Sequence, residues 1–117
     1  MAVKIGIVGM NGIGNNHAHC YKDDELADVV AVCDVVRERA DAAAERHGVK
    51  AYYSVKDMIE NEADLQVVDI TTGGIDNGSW HFEPAMEAIS YGKHVLVEKP
   101  LCNDVREGRE LVAFAEK

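Results

Sequence analysis

The sequence has little of what would mark a secreted, metal-bound or membrane protein. Its 117 residues include only three cysteines, Cys20, Cys33 and Cys102, and none stands in a Cys-x-x-Cys pair. That spacing argues against a disulfide framework or a zinc cage and leaves reduced, mostly buried thiols as the expectation. No apolar run approaches the roughly 20 residues that span a bilayer. The N-terminus enters a strand pattern directly, with no charged leader or small-residue cleavage site, so a cytoplasmic protein with no membrane partner is expected. Basic residues are outnumbered, 12 against 21 acids, for a formal net charge of -9. Such a chain repels polyanions, and its lysines and arginines form no phosphate-tracking stripe, so nucleic acid is not an expected partner. Repeats, low-complexity tracts and Pro/Gly/Ser linkers are missing as well, which leaves one domain over residues 1–117.

What is present is enough apolar material for a single core, 47% of residues, arranged as short runs that alternate with stretches of helical period. Residues 3–8, 29–33, 67–70 and 94–97 are rich in valine and isoleucine and apolar on both faces, as in a parallel sheet covered on each side. Residues 51–53 are a weaker fifth strand. A helix is expected after the first strand. Residues 36–47 read as another, with Ala40, Ala43 and Ala44 to pack on a sheet and Gly48 as its C-cap. Ser54 and Asp57 form a capping box for a short helix through Met58 and Ile59. Ala85, Ala88 and Ile89 make the stripe of a helix that Gly92 ends. Asn103 is expected to cap the last helix, on which Val105, Gly108, Leu111, Val112 and Ala115 share a face toward the sheet. Strands and helices alternating in this way, joined by right-handed crossovers, predict a Rossmann-type doubly wound α/β fold with strand order 3-2-1-4-5.

The first strand runs into Gly9-Met10-Asn11-Gly12-Ile13-Gly14. A dinucleotide pyrophosphate needs such a turn: glycines let the backbone approach, and the following helix offers free N–H groups and the positive end of its dipole. Gly9 is expected to make the turn and Gly14 the close helix-to-strand contact. The fingerprint wants glycine at the middle position, where Asn11 stands, and asparagine tolerates positive φ. The second strand then ends at Asp34, 20 residues beyond Gly14, where a carboxylate can accept hydrogen bonds from the adenosine ribose. A 2′-phosphate would meet that carboxylate as a like charge, so NAD is favoured. Arg37 and Arg39 follow closely and could tolerate a phosphate, so NADP stays open.

The fifth strand leads at once into Glu98-Lys99-Pro100-Leu101, at the carboxyl edge where doubly wound sheets bind ligands. Taken with Gly92-Lys93-His94-Val95, the opening residues 3–9, the Gly12-Ile13-Gly14 turn with His17, the Cys33-Asp34 strand end, Asp69-Ile70-Thr71-Thr72, and His81 with Ala85, the whole chain resembles the glucose-fructose oxidoreductase, inositol dehydrogenase and MocA family (Gfo/Idh/MocA). The resemblance implies a two-domain enzyme that passes a hydride between nicotinamide and a hydroxyl-bearing carbon of a sugar, inositol or related polyol. It implies Lys99 as the catalytic residue beside the reacting hydroxyl, with Glu98 steadying it or lining the nicotinamide site and Pro100 fixing the turn, through a cis Lys99–Pro100 bond. Gly9, Met10, Asn11, Gly12, Ile13, Gly14, Asp34, Arg37, Thr71, Thr72, His81, Glu98, Lys99 and Pro100 are the expected cofactor contacts. It also implies a second α+β domain, carrying a catalytic aspartate and histidine, and a sixth strand. We therefore expect the chain to be a piece of a longer enzyme, inactive alone, whose substrate and oligomeric state are set elsewhere.

Two departures bear on this resemblance. Thr72-Gly73 stands where the family usually has Thr-Pro, and the loop through Trp80 is longer than expected. His17, His19 and Cys20 resemble a metal cluster, but on a helix only His17 and Cys20 share a face, so structural or solvent roles are expected. His47, beside Gly48, is expected to favour its helix dipole. A non-catalytic dinucleotide-binding module is the competing class. A methyltransferase using S-adenosylmethionine shares the glycine turn but has no use for Glu98-Lys99-Pro100.

Overall fold

The computed structural model describes residues 2–73 and 80–117. Five strands, β1 (Val3–Val8), β2 (Ala27–Cys33), β3 (Lys50–Tyr52), β4 (Val67–Ile70) and β5 (His94–Val97), form one sheet in the order β3-β2-β1-β4-β5. Every pairing is parallel. The expected topology and element order are therefore present. Five helices connect and follow the strands: α1 (Gly12–Lys22), α2 (Arg37–His47), α3 (Val55–Asn61), α4 (Phe82–Ser90) and α5 (Val105–Ala115).

Period-two alternation decides which helix covers which face. Ile5, Ile7 and Val32 point toward Ala18 of α1 and Ala43 of α2. Val8, Ala31, Cys33, Val68 and Ile70 point the other way, against Met58 of α3, Ala85 and Ala88 of α4, and Leu111 of α5. Small alanines at the helix faces bring the helices close to the sheet. One residue breaks the apolar pattern. Asp69 of β4 falls between Val68 and Ile70, on the α1 side, and has no exposed surface.

Several local expectations need correction. Strand β2 begins two residues earlier than expected, and β3 is shifted by one. Helix α5 is capped by Asp104, whose carboxylate accepts the Arg106 N–H at 2.7 Å, rather than by Asn103. Its inward row is also different: Leu111 is buried with Gly108 and Phe114 partly covered, while Val105 and Val112 are 71% and 51% exposed. Helix α5 lies against α4 rather than flat on the sheet. That contact is satisfied by the 108-111-114 spacing, and Gly108 approaches the Cys102 sulfur instead of a strand.

The turn after β1 is built differently from the fingerprint's logic. Asn11 is the N-cap of α1 with φ of -87°, so its tolerance of positive φ is not used; the positive value, 96°, belongs to Gly9. A side chain on Gly9 would lie 2.6 Å from the Thr72 nitrogen, and one on Gly14 would overlap the Gly9 carbonyl oxygen. Around Gly12 there is open space. Gly14→Ala is therefore expected to destabilise the protein by about 3 kcal/mol or more, because backbone on both sides must move. Gly12→Ala should change stability by less than about 1 kcal/mol, in the stabilising direction of helix propensity. Urea unfolding followed by circular dichroism checks both; equal losses would mean that the tight contact at Gly14 is not the source.

Candidate dinucleotide site

The turn is held to the ends of three strands. From β2, the Cys33 carbonyl accepts the Gly9 N–H at 2.8 Å. Asp34 then closes the turn from the side, one carboxylate oxygen accepting the Met10 N–H and the other the Val36 N–H, each at 2.9 Å. From β4, the Thr71 hydroxyl lies 2.7 Å from the Gly9 carbonyl oxygen and 3.1 Å from that of Val8. The sequence suggested Asp34 and Thr71 as ligand contacts. The structure adds that both residues are buried and fasten the glycine turn.

Helix α1 starts directly above this turn. Its first turn carries no acidic residue, and Asn11 makes no side-chain cap. The early N–H groups thus keep their donors and the dipole end is not neutralised, in a protein whose net charge is -9. Those are the conditions for holding an anion.

Beside the turn opens a cavity of about 530 Å³ at the carboxyl ends of β1 and β2. Four of the expected contacts reach it, Gly9, Asn11, Asp34 and Thr72. Arg39 lines it while Arg37 does not; the Arg37 guanidinium sits 4.1 Å over the Tyr53 ring. Trp80 forms part of the wall and is 59% exposed. Sequence reasoning missed Val35, Ser54 and Pro84, which also line the cavity. Only the topology, which brings the ends of β2, β3 and β4 together, could have found them. Residues 74–79, in the loop expected to lie over the crevice, are outside the described residues.

The remaining expected contacts lie off that cavity wall. Met10 is buried by its side chain, whereas Gly12 and Ile13 are exposed in the first turn of α1. Glu98, Lys99 and Pro100 follow β5, with the Lys99–Pro100 bond cis, as expected. Lys99 is exposed. His81 is 3% exposed and its Nδ1 donates to the Pro100 carbonyl at 2.6 Å. On the α1 face, Asp69 Oδ2 accepts from His17 Nδ1 at 2.7 Å and from the Tyr21 hydroxyl at 2.8 Å. His17 thus pairs along α1 with Tyr21, four residues on, and not with Cys20, which is exposed. Tyr21 and Asp69 were not singled out as site residues, because a lone acid in a strand and a tyrosine in a helix give no local signal. Burial, and then the bond to Asp69, pushes the Tyr21 hydroxyl well above the usual phenol range. His47 is pushed down, chiefly by burial and then by Arg46, so its expected stabilising charge at the end of α2 is opposed.

A glycine turn fastened to strand ends, an uncapped helix N-terminus, and a buried strand-end carboxylate facing a cavity define a Rossmann dinucleotide-binding domain. The chain matches the model of the oxidoreductase family with an NAD-binding Rossmann fold over residues 3–117. It belongs to that family, Gfo/Idh/MocA. It is 34% identical over 117 residues to an inositol 2-dehydrogenase/D-chiro-inositol 3-dehydrogenase of Lactiplantibacillus plantarum, covering 97% of this chain and 32% of that protein. The WlbA dehydrogenase from Bordetella pertussis, solved with NADH and UDP-GlcNAcA, superposes with a TM-score of 0.90 at 25% identity, over 99% of this chain and 35% of that one. A 3-ketoreductase from Actinomadura kijaniata, KijD10, solved with TDP-benzene and NADP, gives 0.87 at 26% identity over 99% of this chain and 35% of that one. The chain spans about a third of the length of these relatives. Among the described residues, no helix is long and apolar enough to cross a membrane.

Cys33 lines the cavity next to Asp34, and its chemistry follows from where it sits. Burial, reinforced by the Asp34 carboxylate, pushes its thiol up to about 12. At pH 8 roughly one Cys33 in ten thousand would be thiolate. Labelling of the native protein with an aromatic disulfide reagent should therefore modify exposed Cys20 and spare Cys33 until the chain is unfolded. Equal labelling of the two would contradict that burial.

Proposed function

We propose that this chain is the dinucleotide-holding part of an oxidoreductase that moves a hydride between NAD and a hydroxyl-bearing carbon of a sugar, inositol or related polyol. The observation that carries the reading is the buried Asp34 carboxylate, set between the fastened glycine turn and the cavity. Each oxygen already accepts one backbone N–H, and a carboxylate oxygen has capacity for a second bond. The residues fit the cofactor: Asp34 for the ribose hydroxyls, residues 9–14 with the first turn of α1 for the pyrophosphate, and Thr72, Trp80 and Arg39 around the adenosine. The sugar and inositol dehydrogenases among the relatives support the substrate class.

Bound NAD supplies a hydride acceptor. The chain's own contribution beside it is Lys99, whose ammonium can donate a hydrogen bond to the substrate oxygen and steady the charge that develops there. Nothing among the described residues forms a second wall against which a polyol could be held, and positioning is worth roughly 7 to 11 kcal/mol of such a barrier.

Calorimetric titration should show saturable NAD binding by this chain. NAD should bind about ten- to a hundredfold more tightly than NADP, the equivalent of the roughly 1.5 to 3 kcal/mol that a charge-assisted hydrogen bond contributes. Asp34→Ser should shrink that ratio; an unchanged ratio would remove Asp34 from the ribose. In a turnover assay over inositols, sugars and sugar acids, the chain alone should be inactive. The whole protein should be active and its Lys99→Ala variant should lose most of that activity, by about a hundredfold or more. Full activity of the variant would exclude Lys99, and a whole protein that binds NAD without turnover would make this a binding module.

A further inference from the structure

Glu98-Lys99-Pro100 follows an edge strand. Strand β5 has one hydrogen-bonded neighbour, β4, and is only four residues long, with His94 and Leu96 exposed. Beyond Val97 the described backbone bonds include one from this segment to the sheet, the Glu98 N–H to the Ile70 carbonyl at 2.9 Å. The Lys99 side chain has no hydrogen-bond partner among the described residues. A lysine on so short an anchor would sample many positions unless something else held the segment.

Two histidines stand where that restraint is needed, one from each side of the sheet. His81, at the start of α4, is buried, and its Nδ1 lies 2.6 Å from the Pro100 carbonyl oxygen. A carbonyl only accepts, so the hydrogen is on Nδ1. His17, on α1, is held through Nδ1 by Asp69, and its Nε2 lies 3.9 Å from Glu98 Oε1, too far for a hydrogen bond and an ion pair only when the ring is protonated. Asp69 itself argues for a purpose. Its Oδ2 takes both donors, from His17 and Tyr21, while Oδ1 has no partner among the described residues. A buried acceptor left unpaired costs about 1–3 kcal/mol, whereas a valine or isoleucine, like those at 67, 68 and 70, would bury there at no polar cost. The carboxylate fixes the His17 ring, and in the protonated ring the Nε2–H faces Glu98 as an opposite charge.

We infer that His17, fixed by Asp69, and His81 are positioning residues that bracket Glu98-Lys99-Pro100 and thereby set where the Lys99 ammonium stands. The bracket stands on geometry alone; its catalytic consequence rests on the hydride-transfer reading above.

The test has two arms. Removing His17 outright would strand Asp69 and could unfold the chain, so the first variant is His17→Asn, whose amide keeps a donor near Asp69 but cannot reach Glu98. The second is His81→Leu, with His81→Asn as the rescue that restores a donor at the Nδ1 position. In this chain, amide hydrogen exchange at Glu98, whose N–H is bonded to the Ile70 carbonyl, should accelerate about tenfold in His17→Asn and His81→Leu, return toward wild type in His81→Asn, and stay unchanged in the core of β1. In the whole protein, His17→Asn and Glu98→Gln should each lower kcat about tenfold with KM for NAD within about twofold, and the double variant should lose no more than either single one. Unchanged exchange at Glu98 overturns the bracket. Additive kinetic losses, unchanged kcat, or a loss confined to NAD affinity overturn its link to Lys99. Exchange that responds as expected in a protein that turns nothing over supports the bracket and counts against the hydride-transfer reading instead.

Discussion

The contact between Gly14 and the Gly9 carbonyl oxygen is the constraint on which the rest of the crevice depends. Any side chain at Gly14 would overlap that oxygen, so α1 comes as close to the end of β1 as backbone allows. The helix dipole and its free N–H groups are consequently delivered to the mouth of the cavity rather than held a side chain's width away. The fastening from Asp34 and Thr71 makes sense in that light. Both act on the two or three peptide groups of the turn, and both come from strands neighbouring β1. The turn is rigid because three strand ends converge on it, not because its own sequence is stiff.

That convergence explains what could be read in the sequence. The strand order was legible because each strand is a short valine- and isoleucine-rich run separated by a helical period, and right-handed crossovers leave few arrangements for such a string. Gly9, Gly14 and Asp34 were legible because the fingerprint is local apart from one fixed offset. The inward face of α5 was not, since α5 rests on its neighbour α4, and its apolar stripe does not say which contact wins. The Asp69, His17 and Tyr21 cluster was equally hidden. It joins residues 48 and 52 positions apart, and nothing in either segment points to the other until the register of β4 beside β1 is known.

Charge is distributed with the same economy. The chain is strongly acidic as a whole, yet the first turn of α1 carries no acid, and Asp34 spends part of its accepting capacity on two backbone donors. An anion approaching the turn meets the free N–H groups of α1, while Asp34, Glu83 and Glu87 put carboxylates on the wall of the adjoining cavity.

The bond from the Thr72 hydroxyl to the Trp80 carbonyl, 2.9 Å long, ties together two residues eight positions apart. Once both ends of a segment are fixed to the framework, its length is nearly free: doubling a loop adds only about 0.6 kcal/mol of closure entropy. Descendants of this fold can thus gain or shed residues between those two points while the wall formed by Thr72 and Trp80 stays where it is. The bond between its two ends makes that stretch open to evolutionary experiment at little thermodynamic risk.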